Sequence, residues 1–89
     1  MNSNYIANVP KLKGRENFDE WAFAVENLLV LEGADIYLKQ EGTETVSIAT
    51  DAKARAKLIL TIDSALYVHI KETKTTKELW TKLRSLFDD

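Results

Sequence analysis

Side chains able to do covalent or acid–base chemistry are few in this sequence. Its 89 residues include one histidine, His69, and no cysteine. Without cysteine there is neither a thiol nucleophile nor a thiolate ligand for zinc, and no serine has a plausible base partner. The three scattered glycines form no phosphate-binding loop. His69 falls near a predicted helix end, where a surface or capping role is expected. These observations predict that the protein is not an enzyme and uses no metal or cofactor.

The acidic pairs have simpler explanations than acid–base chemistry or metal binding. Asp19 and Glu20 follow the predicted start of a helix, where carboxylates complement the positive end of the helix dipole. The carboxylates at 41 and 44, and those at the last two positions, lack the loop spacing of a cation site.

Cations in the last third of the chain are the candidates for contacts with nucleic acid. They are Lys71, Lys74, Lys77, Lys82 and Arg84. Phosphate binding needs several clustered cations, but Glu72 and Glu78 lie among these residues and the whole chain carries a net charge of −2. RNA or DNA binding through this sequence is therefore disfavoured.

Length and composition predict one small globular domain, with 45% apolar and 29% charged residues. No apolar run is long enough for a signal peptide or a membrane span, so a cytoplasmic, membrane-free location is expected. Charge is unevenly distributed: residues 1–45 carry a net charge of −4 and residues 46–89 one of +2. Two solvated faces would explain this asymmetry, and head-to-tail contacts between copies are the alternative.

Residues 17–33 predict one amphipathic helix against which the other helices pack. Its apolar residues have the spacing of a single helical face; they are Phe18, Trp21, Ala22, Val25, Leu28 and Leu29. Asn17 is the expected N-cap, with Glu20 three residues later as in a capping box. Gly33 is the expected stop, because glycine readily adopts the left-handed conformation that ends many helices.

A second helical region is predicted to begin with a cap at Ser47 or Thr50 and to extend to about residue 70. Its expected core stripe consists of Ala52, Ala56, Ile59, Ile62, Leu66 and Ile70, with Leu58 and Leu60 widening the apolar face. Asp63 and Ser64 favour helix caps and could interrupt it. One long helix and two abutting helices both fit this pattern. Before it, residues 34–39 predict one helical turn, and Gly42 lies in a surface loop.

The last helix is predicted to follow a polar connector at residues 71–74. Thr75 and Glu78 match a capping box at its start. Its apolar stripe consists of Leu79, Trp80, Leu83, Leu86 and Phe87.

Residues 1–15 have no helical period and are assigned as an N-terminal arm, which leaves residues 16–89 as the helical domain. Pro10, the only proline, biases Val9 toward an extended conformation. The apolar residues of this arm are Tyr5, Ile6, Val9 and Leu12. They either fill a groove beside the first helix or belong to a frayed tail, and the sequence is compatible with both.

The expected fold is an all-α bundle of four to five helices preceded by an extended arm. Its core aromatic anchors are expected to be Phe18, Trp21, Tyr67, Trp80 and Phe87. Phe23 and Val30 lie off the main stripe of the first helix. Such residues mark either a broad core or an interaction surface, so these two are candidates for contact with a partner or a second copy.

Two tryptophan-bearing motifs follow one another along the chain. The first contains Leu12, Gly14, Asn17, Phe18 and Trp21, and the second contains Thr75, Thr76, Lys77, Glu78, Leu79, Trp80 and Leu83; between them lie Ala52, Ala54 and Ala56. From Val9 onward this arrangement resembles the N-terminal capsid region of the Gag polyprotein of copia-type LTR retrotransposons.

The resemblance implies a lobe like the N-terminal domain of retroviral capsids, with a structural function. Such a lobe assembles with other copies into the shell of a virus-like particle in the cytoplasm. It also implies further helices after residue 89, and RNA binding by a zinc knuckle further along rather than by these residues. The alternative is a domesticated Gag-derived lobe that binds a peptide from a host partner in a helical groove.

Overall fold

The computed structural model describes residues 8–88, and this part of the chain forms a helical bundle without named strands. Its α-helices are α1 (Phe18–Glu32), α2 (Thr45–Leu60), α3 (Tyr67–Ile70) and α4 (Thr76–Phe87), and its 3-10 turns are Arg15–Asn17, Asp35–Leu38 and Ser64–Leu66. The predicted small all-α bundle is confirmed. None of the described helices is both long and apolar enough to cross a membrane.

Helix α1 begins after Asn17 and ends at Gly33 as predicted, but its N-cap side chain is used differently. Asn17 does not cap the helix with its side chain. Its Oδ1 accepts a hydrogen bond from the Lys13 N–H at 2.9 Å, and its Nδ2 donates to the Lys11 carbonyl at 2.8 Å. The prediction of a capping box with Glu20 is therefore wrong, because the Asn17 side chain ties the arm to the helix instead. Gly33 ends the helix with φ 70°, as predicted.

Helix α2 begins earlier than predicted, and its cap is an acidic residue. The Glu44 carboxylate accepts a hydrogen bond from the Ser47 N–H, while the Ser47 hydroxyl accepts one from the Glu44 N–H at 3.0 Å. Ser47 therefore lies inside the first turn, and the prediction of a cap at Ser47 or Thr50 is wrong. A glutamate carboxylate can satisfy the same unpaired amide that a serine would.

The helix ends at Leu60, so the region up to Ile70 forms separate helices rather than one. Ile62 instead forms an isolated parallel bridge with Leu12 of the arm. The Leu12 N–H donates to the Thr61 carbonyl at 2.9 Å, and the Asp63 N–H donates to the Leu12 carbonyl at 2.9 Å. The Asp63 carboxylate then accepts from the Ala65 N–H at 2.9 Å, which starts the turn leading to α3.

Helix α4 begins as the sequence predicts. The Thr75 hydroxyl oxygen accepts a hydrogen bond from the Glu78 N–H at 3.1 Å. The Glu78 carboxylate accepts from the Lys74 N–H at 3.0 Å, one residue before the amide of an ordinary capping box. The first contact satisfies a donor that the helix itself leaves unpaired, and the second holds the residue before the N-cap against the first turn.

A single core joins the arm to the helices. Its buried apolar residues are Leu12, Phe18, Trp21, Val25, Leu29, Ala34, Ala54, Leu58, Ile62, Ile70, Leu79, Trp80 and Leu83. The rings of Trp21 and Trp80 lie 5.9 Å apart, and Phe18 links Trp21 at 5.9 Å to Phe87 at 6.3 Å. Phe87 and Tyr67 are half-buried at the edge of this core.

The core stripe predicted for the second helical region is wrong at Ala52, Ala56 and Leu60. Its other members are as predicted: Leu58, Ile62 and Ile70 are buried, and Ile59 and Leu66 pack against the core. Ala52 and Ala56 are exposed, and the buried residues of α2 are Asp51, Ala54 and Leu58. Asp51 can be buried because its Oδ1 accepts a hydrogen bond from the backbone N–H at the start of α4, at 3.0 Å. A satisfied carboxylate carries a far smaller burial penalty than a free one. The helix is therefore rotated so that its alanine stripe faces outward.

Candidate interaction surfaces

Polar side chains form no obvious reaction centre in the described structure. Within residues 8–88, no group of three or more His, Cys, Asp or Glu side chains could hold a metal ion. His69 is exposed on the short helix α3. The buried Thr61 hydroxyl accepts a hydrogen bond from the Trp21 indole N–H at 3.0 Å and donates one to the Leu58 carbonyl at 2.6 Å. These buried hydrogen bonds of Thr61 stabilise the fold. The features of the described chain left as candidate functional sites are therefore surfaces.

Large apolar side chains are exposed on several helices of the described chain. They are Phe23, Val30, Leu31, Ile36, Val46, Ile48, Leu60 and Val68. Single exposed apolar residues are ordinary, but those on α1 and α2 belong to defined helix faces. Phe23 is 71% exposed and Val30 58%. The structure thus places both sequence candidates for partner contact on the surface, on the side of α1 away from the core.

The outer side of α1, called the acidic face below, combines these apolar residues with carboxylates. The face consists of Asp19, Glu20, Phe23, Glu26 and Val30, which recur three and four residues apart. Helix α1 contains no basic residue. Within residues 8–88, its carboxylates at 19, 20 and 26 make no ion pair. The face therefore presents two apolar side chains among carboxylates that form no ion pair, with Arg84 of α4 lining the depression beside Asp19 and Glu26.

The outer side of α2, called the basic face below, has the opposite charge. Its members are Ile48, Ala52, Lys53, Arg55, Ala56 and Leu60. The four apolar members are spaced by four residues and lie along one ridge of the helix. The exposed Lys53 and the half-buried Arg55, whose Nε is shielded from solvent, flank this ridge and form no ion pair with another described residue. The sequence pattern had assigned Ala52, Ala56 and Leu60 of this face to the core and left Ile48 unassigned. What it could not reveal is the competing stripe that contains the buried Asp51.

A shallow groove runs between α1 and α4. Two adjoining depressions share Glu26, Trp80 and Arg84 in their lining, and one of them extends to Lys77. Trp80 is only 7% exposed, whereas Phe23, 71% exposed, lines the second depression. Arg84 is also paired with Asp88 at 3.3 Å. The groove therefore combines charged side chains with the exposed Phe23 ring.

From residue 8 onward the arm is docked on the bundle, which is one of the two arrangements that the sequence left open. Leu12 is fully buried, and Val9 is half-buried against the core in a cleft shared with Leu28 and Leu31. Tyr5 and Ile6 lie outside the described residues. The part of the arm from residue 8 onward is thus integrated into the bundle, since it contributes a buried side chain and two backbone hydrogen bonds.

Comparisons with known proteins identify no relative of this chain. No family model, no curated protein and no solved structure matches it. Functional inference therefore depends on the residues, the fold and the two faces described above.

Proposed function

We propose that this chain is a self-associating structural domain, the N-terminal lobe of a copia-type capsid that builds the shell of a virus-like particle. The observation that carries the proposal is the pair of outward helix faces, each with exposed apolar side chains, on a domain whose core is already complete. Patches of this kind mark protein–protein contact sites. The role would place the protein in the cytoplasm.

The motif resemblance supports the fold part of this proposal. Its two tryptophans, Trp21 and Trp80, pack against each other in the core. The motifs thus correspond to a packing unit that any copy of the lobe would need. RNA binding is not part of the proposal, because Glu72 and Glu78 are interspersed with the basic residues around α4.

The second candidate function is peptide binding, and the groove between α1 and α4 is the feature that favours it. A peptide there would meet Lys77 and Arg84 on one wall and Glu26 on the other. Of the large exposed apolar side chains in the described chain, only Phe23 lines this groove, whereas Val30, Ile48 and Leu60 lie outside it. Self-association is therefore the better supported function.

Sedimentation velocity across a concentration series tests the proposal. The chain should be a monomer or weak dimer at micromolar concentration and associate further toward millimolar concentration. Fusion to a trimeric coiled coil raises the effective concentration of the lobes, and electron microscopy should then show large assemblies. A chain that remains monomeric throughout the series, and whose fusion remains a plain trimer, would exclude the capsid role. Resonance shifts in the groove on adding peptide pools would then favour peptide binding.

A further inference from the structure

The two outward faces are complementary in charge and in apolar content. The acidic face on α1 contains three carboxylates and no cation, whereas the basic face on α2 contains Lys53 and Arg55 and no carboxylate. We propose that the acidic face of one copy binds the basic face of a second copy. The inference rests on the proposed self-association and specifies the surfaces through which it occurs.

Charge argues against the two symmetric alternatives. A contact between two acidic faces would bring Asp19, Glu20 and Glu26 against the same residues of another copy. A contact between two basic faces would bring Lys53 and Arg55 together in the same way. Like charges placed opposite each other in an interface are unfavourable, and complementary potentials select partner and register. Only the pairing of unlike faces neutralises both.

The shapes of the two faces also fit. On the basic face, Ala52 and Ala56 lie one turn apart and form a low stretch between the larger Ile48 and Leu60. On the acidic face, Phe23 projects into solvent with 71% of its surface exposed. A large side chain on one helix packs well into a groove lined by small residues on another. In the proposed contact, the Phe23 ring of one copy therefore packs against Ala52 and Ala56 of the other.

The contact uses different surfaces on the two copies, so each added copy leaves one acidic and one basic face free. Contacts of this heterologous type generate rings or open chains rather than closed dimers. Each face has few exposed apolar side chains, which suggests a buried area below the ~1,200 Å² of stable interfaces. Single contacts are then weak, and assemblies become stable only when many are linked.

Complementation between two variants tests this pairing. Phe23→Asp disables the acidic face and leaves the basic face intact, and Ala56→Glu does the reverse. Each variant alone should remain monomeric at a concentration at which the wild-type chain associates, and an equal mixture should form a heterodimer. In NMR titrations, labelled Phe23→Asp should shift at residues 48–60 when unlabelled Ala56→Glu is added. Labelled Ala56→Glu should shift at residues 19–30 in the reciprocal experiment.

Val68→Asp is the matched control, because Val68 is equally exposed but lies on neither face. It should associate like the wild type, and thermal melts should show all three variants folded. If a face variant unfolds, Lys53→Glu replaces Ala56→Glu, or Val30→Asp replaces Phe23→Asp.

Association of the wild type without pairing in the mixture of variants would overturn the proposed pairing of faces and leave the proposed self-association standing. A wild-type chain that never associates would refute both the proposed pairing of faces and the proposed self-association. Shifts on the basic face with anionic phospholipid vesicles, and none with the second variant, would make that face a lipid-binding surface and overturn the proposed pairing.

Cross-linking gives an independent readout, because the sequence contains no cysteine. A chain carrying Val30→Cys and Ala52→Cys has one thiol on each face. A short bifunctional thiol reagent should give it a ladder of covalent multimers. The matched pair Val30→Cys and Val68→Cys should give monomer and only traces of dimer. Equal ladders from both pairs would contradict the proposed interface.

Discussion

Two hydrogen bonds, both donated by Thr76 and accepted by Asp51, join α2 to the start of α4. The Thr76 N–H donates to the Asp51 Oδ1 at 3.0 Å, and the Thr76 hydroxyl donates to the Asp51 carbonyl at 2.9 Å. Both residues are buried. The carboxylate therefore acts as a cap supplied by another helix, placed where the dipole of α4 favours negative charge.

Replacing Asp51 should destabilise the bundle through this cap. Asp51→Ala leaves the Thr76 N–H buried without a partner, a loss expected to cost about 1–3 kcal/mol. Asp51→Asn keeps an acceptor oxygen in the same place and should cost less. Urea unfolding of both variants measures how much each substitution lowers the free energy of unfolding. Asp19→Ala, at an exposed carboxylate near the start of α1, is the control. Equal losses at positions 19 and 51 would show that the buried cap has no special role.

The same pair explains why the orientation of α2 could not be predicted from the sequence. Apolar periodicity selects the alanine stripe, since alanine counts as apolar and aspartate as polar. The burial of Asp51 depends on Thr76, which is distant in sequence, and no local pattern reveals that contact. Helix α1 was predictable because its apolar stripe contains large side chains and has no competitor. The start of α4 was predictable because Thr75 and Glu78 are close in sequence.

The two tryptophans should be indispensable for folding. Trp21 and Trp80 are both buried and in contact, so Trp21→Ala and Trp80→Ala should each cost about 3–5 kcal/mol. In a domain this small such a loss approaches the whole stability of about 5 kcal/mol at the low end of natural proteins. Thermal melts followed by circular dichroism would detect it. Phe23→Ala removes an exposed ring and should melt near the wild type, and wild-type melts for both tryptophan variants would refute the core assignment.

The arm should contribute to stability through Leu12. Its side chain is fully buried, and its N–H and carbonyl are both bonded to residues just after α2. Leu12→Ala should cost about 2–5 kcal/mol, and Val9→Ala, at a half-buried position, should cost less. Hydrogen exchange should show the amides of Leu12 and Asp63 protected together. An unprotected Leu12 amide would mean that the arm is frayed in solution.

Phe23 and Val30 illustrate how far a sequence can define a site. Their position off the core stripe of α1 follows from helical periodicity alone, and the structure places both on the outside. Their counterpart on α2 could not be found in this way, because its exposure depends on the rotation set by Asp51. A single helix therefore reveals one face, but a complementary pair of faces needs the tertiary structure.

Gly42 should tolerate no side chain, because the first turn of α2 lies against it. A Cβ there would be 2.6 Å from the Ser47 carbonyl carbon and oxygen, and backbone atoms cannot move aside as a flexible side chain can. Gly42→Ala should therefore cost about 1–3 kcal/mol through overpacking. Gly33→Ala, where φ is 70° and nothing lies within 4 Å, tests backbone strain without a clash and should cost about 1–2 kcal/mol. Gly33→Asn should recover part of that loss, whereas Gly42→Asn should not. Chemical denaturation measures the unfolding free energies of all four variants. A Gly42→Ala variant as stable as the wild type would mean that the loop packs differently.

Asp63 should give the bundle a stability component that is lost in acid. The pKa of this carboxyl is held below its usual value, first by the hydrogen bond from the Ala65 N–H and then by the Lys13 ammonium at 3.0 Å. Because the pKa is lower in the folded chain than in the unfolded one, ionised Asp63 stabilises the fold fully above the unfolded value of about 3.9. This contribution disappears as the pH falls through the folded-state pKa.

The difference in unfolding free energy between the wild type and Asp63→Asn should therefore be largest near neutral pH and shrink below about pH 4. Lys13→Met should reproduce only part of the effect, since the Ala65 N–H remains in place. Urea titrations of the three proteins across this pH range measure it, and a difference that does not change with pH would show that the carboxylate charge is not what stabilises this turn.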